Sequence, residues 1–292
     1  MGPVEVIVVL VALVVTILIG YWIGTGIPRR QEREVREWAS AHALELTSGN
    51  GAFVRQYLRT GHRLRVRCMI GGFILAATAQ ARLWPEQSVD LSFVGLLIGY
   101  LVGTLWAEVS LTRSRAGPAR SAALVPRSLE DYLPGRLRLS LRIVGPVTAG
   151  AWLATRHLAY PAQEVDLPRE PLGLVLGAMG LSLIAPIDIE ATQRWVLSRP
   201  QPLVATDLVA ADDAVRSASL HFLGGSGVAI VLISLTAAAA RLADTDVQFL
   251  RWTMPWIAFV SFFTALVFWR YYSHRAWRVQ RRLPSTVVPT PS

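Results

Sequence analysis

Seven stretches of this sequence are apolar over about the thickness of a lipid bilayer, and no other feature constrains the fold as strongly. A helix needs about 20 apolar residues to cross the hydrocarbon core, which is roughly 30 Å thick. Lipid offers no hydrogen bonds to the backbone, so a spanning segment must satisfy its own amides, as a helix does. The sequence therefore predicts an all-α, polytopic bundle of seven transmembrane helices. They are expected at residues 6–27, 66–84, 89–108, 139–160, 171–188, 219–240 and 252–272.

The arginines predict the orientation of this bundle. If the segments between the spans alternate sides, 24 of the 29 arginines lie on one side, in 28–67, 109–142, 188–218 and the tail from Arg270. Short cytoplasmic loops of membrane proteins carry such an excess of basic residues. We therefore expect an N-terminus outside, a cytoplasmic C-terminus and a location in the plasma (inner) membrane.

Composition agrees with lipid as the solvent. The chain is 52% apolar and only 17% charged, whereas soluble domains carry about 25% charged residues. The net charge of +9 comes from arginines beside the apolar stretches. This placement favours anionic lipid headgroups over nucleic acid as the partner. The expected headgroup contacts are Arg29, Arg30, Arg63, Arg65, Arg136 and Arg138.

Two of the spans are short. Only 14 uncharged residues separate Arg67 from Arg82, and only 13 separate Arg142 from Arg156. Long arginine side chains can extend to the phosphates, which favours full crossing. Re-entrant helices over 66–84 and 139–160 are the alternative.

An internal repeat of about 75 residues divides the chain into a leading helix and three hairpins. Tyr57 and Leu58, followed by Gly61 and several arginines, are matched by Tyr132 and Leu133 with similar spacing. Each copy of the repeat contains two spans, so both copies enter the membrane from the same side. The axis that relates them would then run along the membrane normal. The expected units are the first helix (1–28), amphipathic helices (29–65), hairpins (66–108, 139–188, 219–272), cytoplasmic loops (109–138, 189–218) and a disordered basic tail (273–292).

Glycines at four-residue spacing predict where helices pack closely. Small residues let helix backbones approach in lipid, where burial of apolar surface drives no association. Contacts inside the bundle are expected, and a homo-oligomer is the alternative. The glycines are Gly20, Gly24, Gly95, Gly99, Gly103, Gly173 and Gly177.

The external ends of two hairpins carry opposite charges. We expect Arg82 and Arg156 to form ion pairs with Asp90 and Asp166, within or between the repeats, because charges near the membrane are costly unless paired. An outer vestibule that attracts anions is the functional alternative.

The cytoplasmic segment before the second span contains two amphipathic patterns. Val35, Trp38 and His42 share one helical face, and Thr47 can cap a second helix that includes Val54 and Tyr57. This pattern is typical of helices that lie at the headgroup level. A docking surface for a membrane or cytoplasmic protein is the alternative.

The sequence contains no recognisable catalytic, cofactor or metal motif, so we expect no enzymatic activity. The best acidic cluster joins Asp188 and Glu190 to Asp212, Asp213 or His221. Asp188 and Glu190 point about 200° apart on a helix, which is a poor start for chelation. We interpret these groups as solvated helix ends.

Three functions remain open. The first is a non-enzymatic membrane subunit or scaffold, which is our prediction. The second is a permease or channel for a neutral or anionic solute, which requires a shared polar cavity. The third is an interfacial enzyme, which requires Asp188, Glu190 and His221 to converge. The residues that would line the permease cavity are Thr78, Gln80, Tyr100, Thr104 and Ser182.

Overall fold

The computed structural model describes residues 28–83, 91–113, 120–121, 128–158, 172–199, 201–202, 206–243 and 245–274. Seven α-helices account for nearly all of them, which confirms the all-α prediction for the described chain. They are α1 (Pro28–Ala41), α2 (Ser48–Leu83), α3 (Leu91–Arg113), α4 (Gly135–Leu158), α5 (Leu172–Ser198), α6 (Thr206–Leu242) and α7 (Gln248–His274). A 3₁₀ turn at Leu129–Asp131 and an antiparallel pair of two-residue strands, β1 (Arg120–Ser121) and β2 (Gln201–Pro202), complete the description. The first predicted span, 6–27, lies outside it.

Helix α6 is the centre of the bundle. Its apolar window is 72% buried, against 22% for α5 and 11% for α7. Consecutive helices pack in pairs, α2 with α3, α4 with α5 and α6 with α7, and α6 also contacts α4, α5, α2 and α3. The core around it contains Leu220 and Leu223 of α6, Leu137 of α4 and Ile189 of α5.

The surface is apolar and the interior holds many polar side chains. Large hydrophobic residues point outward from α2, α3, α4, α5 and α7, whereas acids and arginines near one end of α6 are buried. Water would penalise this arrangement, but lipid favours it. The exposed residues include Leu75, Trp106, Val147, Ile187, Trp252, Trp256 and Val267.

Three of the described helices are long and apolar enough to cross a membrane. These spans are Val175–Ser198, Leu208–Leu242 and Gln248–Tyr272, and α3 contributes a shorter apolar stretch, Gly95–Ser110. Helices α2 and α4 are not among these three, and the uncharged stretches between their arginines are shorter. The structure therefore supports a membrane protein with at least these three candidate spans among its described residues.

Helices α2 and α6 are longer than the predicted spans. We expected separate amphipathic helices before 66–84 and a cytoplasmic loop before 219–240, but in each case the residues before the span continue into it as one helix. Neither helix contains a proline, so nothing interrupts its hydrogen-bond ladder. With 36 and 37 residues, they are about 54 and 56 Å long, some 25 Å more than a bilayer core requires.

Glycines bring α2 and α3 into direct backbone contact. A Cβ added at Gly95 would overlap the carbonyl oxygen of Gly72, and one at Gly99 would overlap the carbonyl oxygen of Cys68. At Gly103 an added Cβ would lie 2.8 Å from the Cα atom of Arg65. These three predicted packing glycines thus lie at a helix interface.

The corresponding glycines of the second repeat lie in a different environment. No atom lies within 4 Å of a Cβ built at Gly173 or Gly177, so neither glycine packs closely within the described chain. Both positions are exposed on α5, so a close contact there stays a prediction. Gly20 and Gly24 lie outside the described residues.

Candidate functional site

Helix α1 and the first half of α2, residues 28–67, form a compact unit on α6, which we call the helical platform. Val35 of α1 and Val54 of α2 are buried in one cluster with Ala211. Tyr57 packs against Val215. Both apolar stripes predicted from the sequence thus pack against the bundle, and Trp38 and His42 of the first are partly buried. Their shared partner is the extended N-terminal part of α6.

A capped turn joins the two platform helices. The Thr47 hydroxyl accepts a hydrogen bond from the Asn50 backbone N–H (3.1 Å), and the Asn50 carboxamide oxygen accepts one from the Thr47 N–H (2.8 Å). The Asn50 amide also donates to the Glu45 carbonyl oxygen (2.8 Å). This reciprocal arrangement confirms the predicted cap at Thr47 and fixes the direction of α2.

His42 lies at the end of α1 against Trp38. The two rings stack with centroids 4.0 Å apart, and the His42 Nδ1 lies 2.8 Å from the Trp38 carbonyl oxygen. Burial lowers the pKa of His42, and the hydrogen bond to Trp38 offsets part of that shift. The packing of His42 against Trp38 is therefore more stable when the histidine ring is neutral.

Beneath the platform, Arg216 of α6 caps the C-terminus of α5. Its guanidinium donates to the carbonyl oxygens of Val196 (3.2 Å), Leu197 (3.3 Å) and Arg199 (2.9 Å). It also pairs with Asp212 at 2.7 Å, with both side chains buried. The last carbonyls of a helix lack partners within the helix and carry negative partial charge. Arg216 satisfies both needs.

A second buried ion pair attaches α3 to the C-terminal end of α5. Arg199 lies 3.2 Å from the Glu108 carboxylate and donates to the Glu108 carbonyl oxygen at 2.9 Å. The Arg199 guanidinium also lies 4.6 Å from the centre of the Trp195 ring. The ends of α3 and α5 and the start of α6 are thus joined by charge-assisted hydrogen bonds. We call Glu108, Arg199, Asp212 and Arg216 the buried ionic cluster.

The acidic residues proposed for an interfacial enzyme do not form one site. Asp212, Asp213 and His221 are buried, so their interpretation as solvated helix ends was wrong. They lie in the part of α6 that the platform and α5 cover. Glu190 instead faces Arg142 and Arg194, each at 2.7 Å.

The remaining groups near this end have structural partners. The His221 Nδ1 lies 2.8 Å from the Ser217 carbonyl oxygen, one turn earlier on α6. The buried Gln193 amide donates to the Leu220 carbonyl oxygen at 3.2 Å. Asp188 is exposed. Within the described ranges, no three His, Cys, Asp or Glu side chains could together hold a metal ion.

The four described side chains of the polar stripe proposed for a permease each have a hydrogen-bond partner within the bundle. Thr78 and Thr104 each donate to a carbonyl oxygen of their own helix at 2.8 Å. Ser182 donates to Ala178 at 2.7 Å, and the Tyr100 hydroxyl accepts from Trp269 at 3.2 Å. The Gln80 side chain lies outside the description.

A groove of about 380 Å³ lies instead between α6 and α7. Most of its lining is apolar, which is typical of a surface that acyl chains fill. The lining residues are Leu232, Leu235, Trp256, Ile257, Val260, Ser261 and Thr264.

The predicted headgroup arginines fall into two groups. Arg63 and Arg136 are exposed. Arg65 instead lies 3.6 Å from the centre of the Phe222 ring of α6, and Arg138 pairs with Glu130 at 3.2 Å. These two side chains therefore have partners within the bundle, which the sequence pattern did not reveal.

For several residues predicted to bind headgroups or form ion pairs, the structure does not describe the side chain or its predicted partner. Arg29 and Arg30 belong to α1, but their side chains are not described. Arg82 and Arg156 are exposed, while Asp90 and Asp166 have no described side chains. The two external ion pairs therefore stay predictions.

The buried ionic cluster was missed in part by sequence reasoning. Glu108 and Arg199 are 91 residues apart, and no periodicity connects them. The sequence gives one indication that Glu108 and Arg199 could meet, which is that each follows the apolar part of a predicted span. Comparison with protein-family models, curated proteins and solved structures finds no match for this chain.

Proposed function

We propose that this chain is a non-enzymatic subunit or scaffold of the plasma membrane, which presents its helical platform to a partner protein. The observation that carries the proposal is the attachment of the platform to the bundle. Val54 is fully buried, Tyr57 nearly so, and the Tyr57 hydroxyl lies 3.2 Å from the Ser219 hydroxyl. Helices that lay loosely at the level of the lipid headgroups would need none of these contacts. A preorganised surface loses less conformational entropy when a partner binds.

The buried ionic cluster supports the same function. Replacing a buried ion pair by apolar residues is often neutral or stabilising, so such pairs are better explained by specificity of arrangement than by stability. In this cluster the pairs hold α3 and α5 at one angle to α6, directly below the platform. We infer that the cluster fixes the platform relative to the membrane.

The proposal includes seven spans, with the platform on the cytoplasmic side. The three helix pairs of the described chain have the connectivity of three hairpins, to which 6–27 would add the leading helix. The arginines support the sidedness, because Arg63, Arg136 and Arg194 lie at the platform end of the described helices. Positive charge at this end is the cytoplasmic signature.

Co-purification tests this function. The tagged protein is extracted from its native membrane in a gentle detergent, and co-purifying proteins are quantified by mass spectrometry. We expect one partner in stoichiometric amount. A matched variant, Val54→Asp, places a charge in the platform interface and should lose that partner, because a buried unpaired carboxylate displaces the helix. The variant should still elute as a single symmetrical peak, later than the wild-type complex because it lacks the partner, which shows that the bundle is intact.

A chain that purifies alone, or with copies of itself only, would contradict the proposal. Solute flux into liposomes would then test the permease alternative. That alternative has less support, since Thr78, Thr104 and Ser182 each direct a hydroxyl to their own helix.

A further inference from the structure

One face of α2 carries a line of four exposed arginines. Arg55, Arg59, Arg63 and Arg67 follow one another at four-residue spacing and are all exposed. They cover about 18 Å along the helix axis within about 120° of arc. The opposite face of the same helix carries Tyr57 and the other side chains that pack on α6. We call these four residues the arginine row.

The arginine row is not neutralised within the described chain. No ion pair or hydrogen bond involves any of its four guanidinium groups there, although many other arginines of the bundle have carboxylate partners. Pairs of that kind are Arg33–Glu37, Arg138–Glu130, Arg142–Glu190, Arg199–Glu108 and Arg216–Asp212.

The remaining segments on the same predicted side do not supply the missing acids. Residues 114–119, 122–127 and 275–292 contain neither aspartate nor glutamate. Like charges at four-residue spacing repel one another along a helix. The row therefore costs free energy in the isolated chain, and an anionic surface would remove that cost.

The length of the row indicates which anionic surface fits. In the proposed seven-span topology the apolar part of α2 begins at Cys68, which places the Arg67 backbone near the edge of the hydrocarbon core. Headgroups add about 5–8 Å on each side of that core. Arg59 and Arg55 stand about 12 and 18 Å beyond Arg67. Lipid phosphates can reach Arg67 and Arg63, but the outer two arginines project past them.

We propose that the arginine row binds an acidic protein helix that stands on the membrane beside α2. Glutamates at four-residue spacing on such a helix repeat every 6 Å or so and match the row. Guanidinium groups hold carboxylates through two parallel hydrogen bonds, which favours arginine at such a surface. This inference rests on the proposed function and names the chemistry of the partner.

The test uses the full chain in nanodiscs. The probe is a fluorescein-labelled helical peptide with glutamate at every fourth position and alanine between, and its binding is followed by anisotropy. In nanodiscs of phosphatidylcholine, Arg55→Glu/Arg59→Glu should weaken binding by at least about tenfold, because two attractive contacts become repulsive. The control, Arg136→Glu/Arg270→Glu, makes the same change in net charge at exposed sites outside the platform and should weaken binding by less than about twofold.

Nanodiscs that contain phosphatidylserine separate lipid from protein as the partner. Retention of most peptide binding there supports the inference, because the outer arginines lie beyond the headgroups. Complete loss of peptide binding in those nanodiscs would overturn it and assign the row to lipid. Equal weakening by the control variant would also overturn it, because the effect would then be one of overall charge.

Co-purification with the same variants separates this inference from the proposed function. A native partner that is lost with Arg55→Glu/Arg59→Glu and kept with the control supports both. A partner kept by both variants overturns the arginine-row inference and leaves the proposed function in place. A wild-type chain without a partner contradicts the proposed function, while the peptide assay still gives its own result.

Discussion

Arg216 shows how one side chain can hold three parts of this molecule together. Its charge is balanced by Asp212, and its remaining donors satisfy the last carbonyls of α5. The low-dielectric surroundings strengthen these bonds and raise the cost of losing one partner. The value of the residue lies in the completeness of this set of contacts.

Removal of Arg216 alone should therefore destabilise the protein strongly. We expect Arg216→Leu to lower the free energy of unfolding by about 3–5 kcal/mol, since Asp212 would be left as a buried charge. The double variant Asp212→Leu/Arg216→Leu should recover part of that loss. Denaturant unfolding in detergent measures both values.

The control for that experiment is Arg194→Leu, which breaks a more exposed pair with Glu190. We expect a change below about 1 kcal/mol there, because solvent already screens the pair. Equal losses at Arg194 and Arg216 would contradict the role of burial in the cap.

His42 gives the platform a dependence on pH. Burial lowers its pKa in the folded state, so below its ordinary pKa of about 6.5 the unfolded chain binds more protons than the folded one. Stability should therefore be lost as the pH falls from about 7 to about 5.5.

Melting temperatures of the wild type and of His42→Gln measure this effect. We expect the wild type to lose more stability over the acid range, because glutamine cannot be protonated. Parallel curves for the two proteins would show that His42 remains hydrated in the folded state.

At the scale of elements, one glycine pattern produces two kinds of helix surface. Gly95 and Gly99 let α3 lie directly on the backbone of α2, whereas Gly173 and Gly177 leave open space on α5. The two segments that the sequence predicts to be repeats therefore differ in packing. They differ locally as well, since Tyr57 lies within a helix and Tyr132 follows a 3₁₀ turn.

Single alanine substitutions should separate the two surfaces. Gly99→Ala places a methyl group on the Cys68 carbonyl oxygen, so α2 and α3 must move apart and thermal stability in detergent should fall. We expect a loss of about 1–3 kcal/mol, as for other overpacked sites. Gly177→Ala meets no atom and should gain up to about 1 kcal/mol from helix propensity. A loss at Gly177 would mean that the open face is occupied.

At the scale of the whole molecule, the number of spans decides which surfaces face the same compartment. Seven spans place residues 84–90 and 161–171 outside, and place 114–127 and the tail with the platform. Three spans, α5 to α7, would put 114–127 and 161–171 on the same side.

Cysteine labelling distinguishes these topologies. In a Cys68→Ser background, single cysteines replace Ser88, Ala162, Ser114 or Ser285, and an impermeant maleimide is added to right-side-out or inverted vesicles. For seven spans we expect Ser88→Cys and Ala162→Cys to react from outside, and Ser114→Cys and Ser285→Cys from inside. Reaction of Ala162→Cys and Ser114→Cys from the same side would contradict the seven-span topology.

The sequence by itself determined the helices and their character. The described part of each predicted span from 66–84 onward lies inside one helix, since an apolar run of sufficient length must satisfy its own backbone in lipid. The stripes through Val35, Val54 and Tyr57, and the cap at Thr47, were also readable, because they depend on residues within one or two turns.

Only the tertiary structure decided which polar groups are buried and what they touch. Asp212 and His221 have the local sequence of a solvated helix, yet the platform and α5 cover them. Glu108 meets Arg199 across 91 residues, and Gly99 is packed where Gly177 is open. These outcomes depend on how helices distant in sequence lie against one another, and the periodicity of one helix fixes the direction of its apolar face but not the neighbour that covers it.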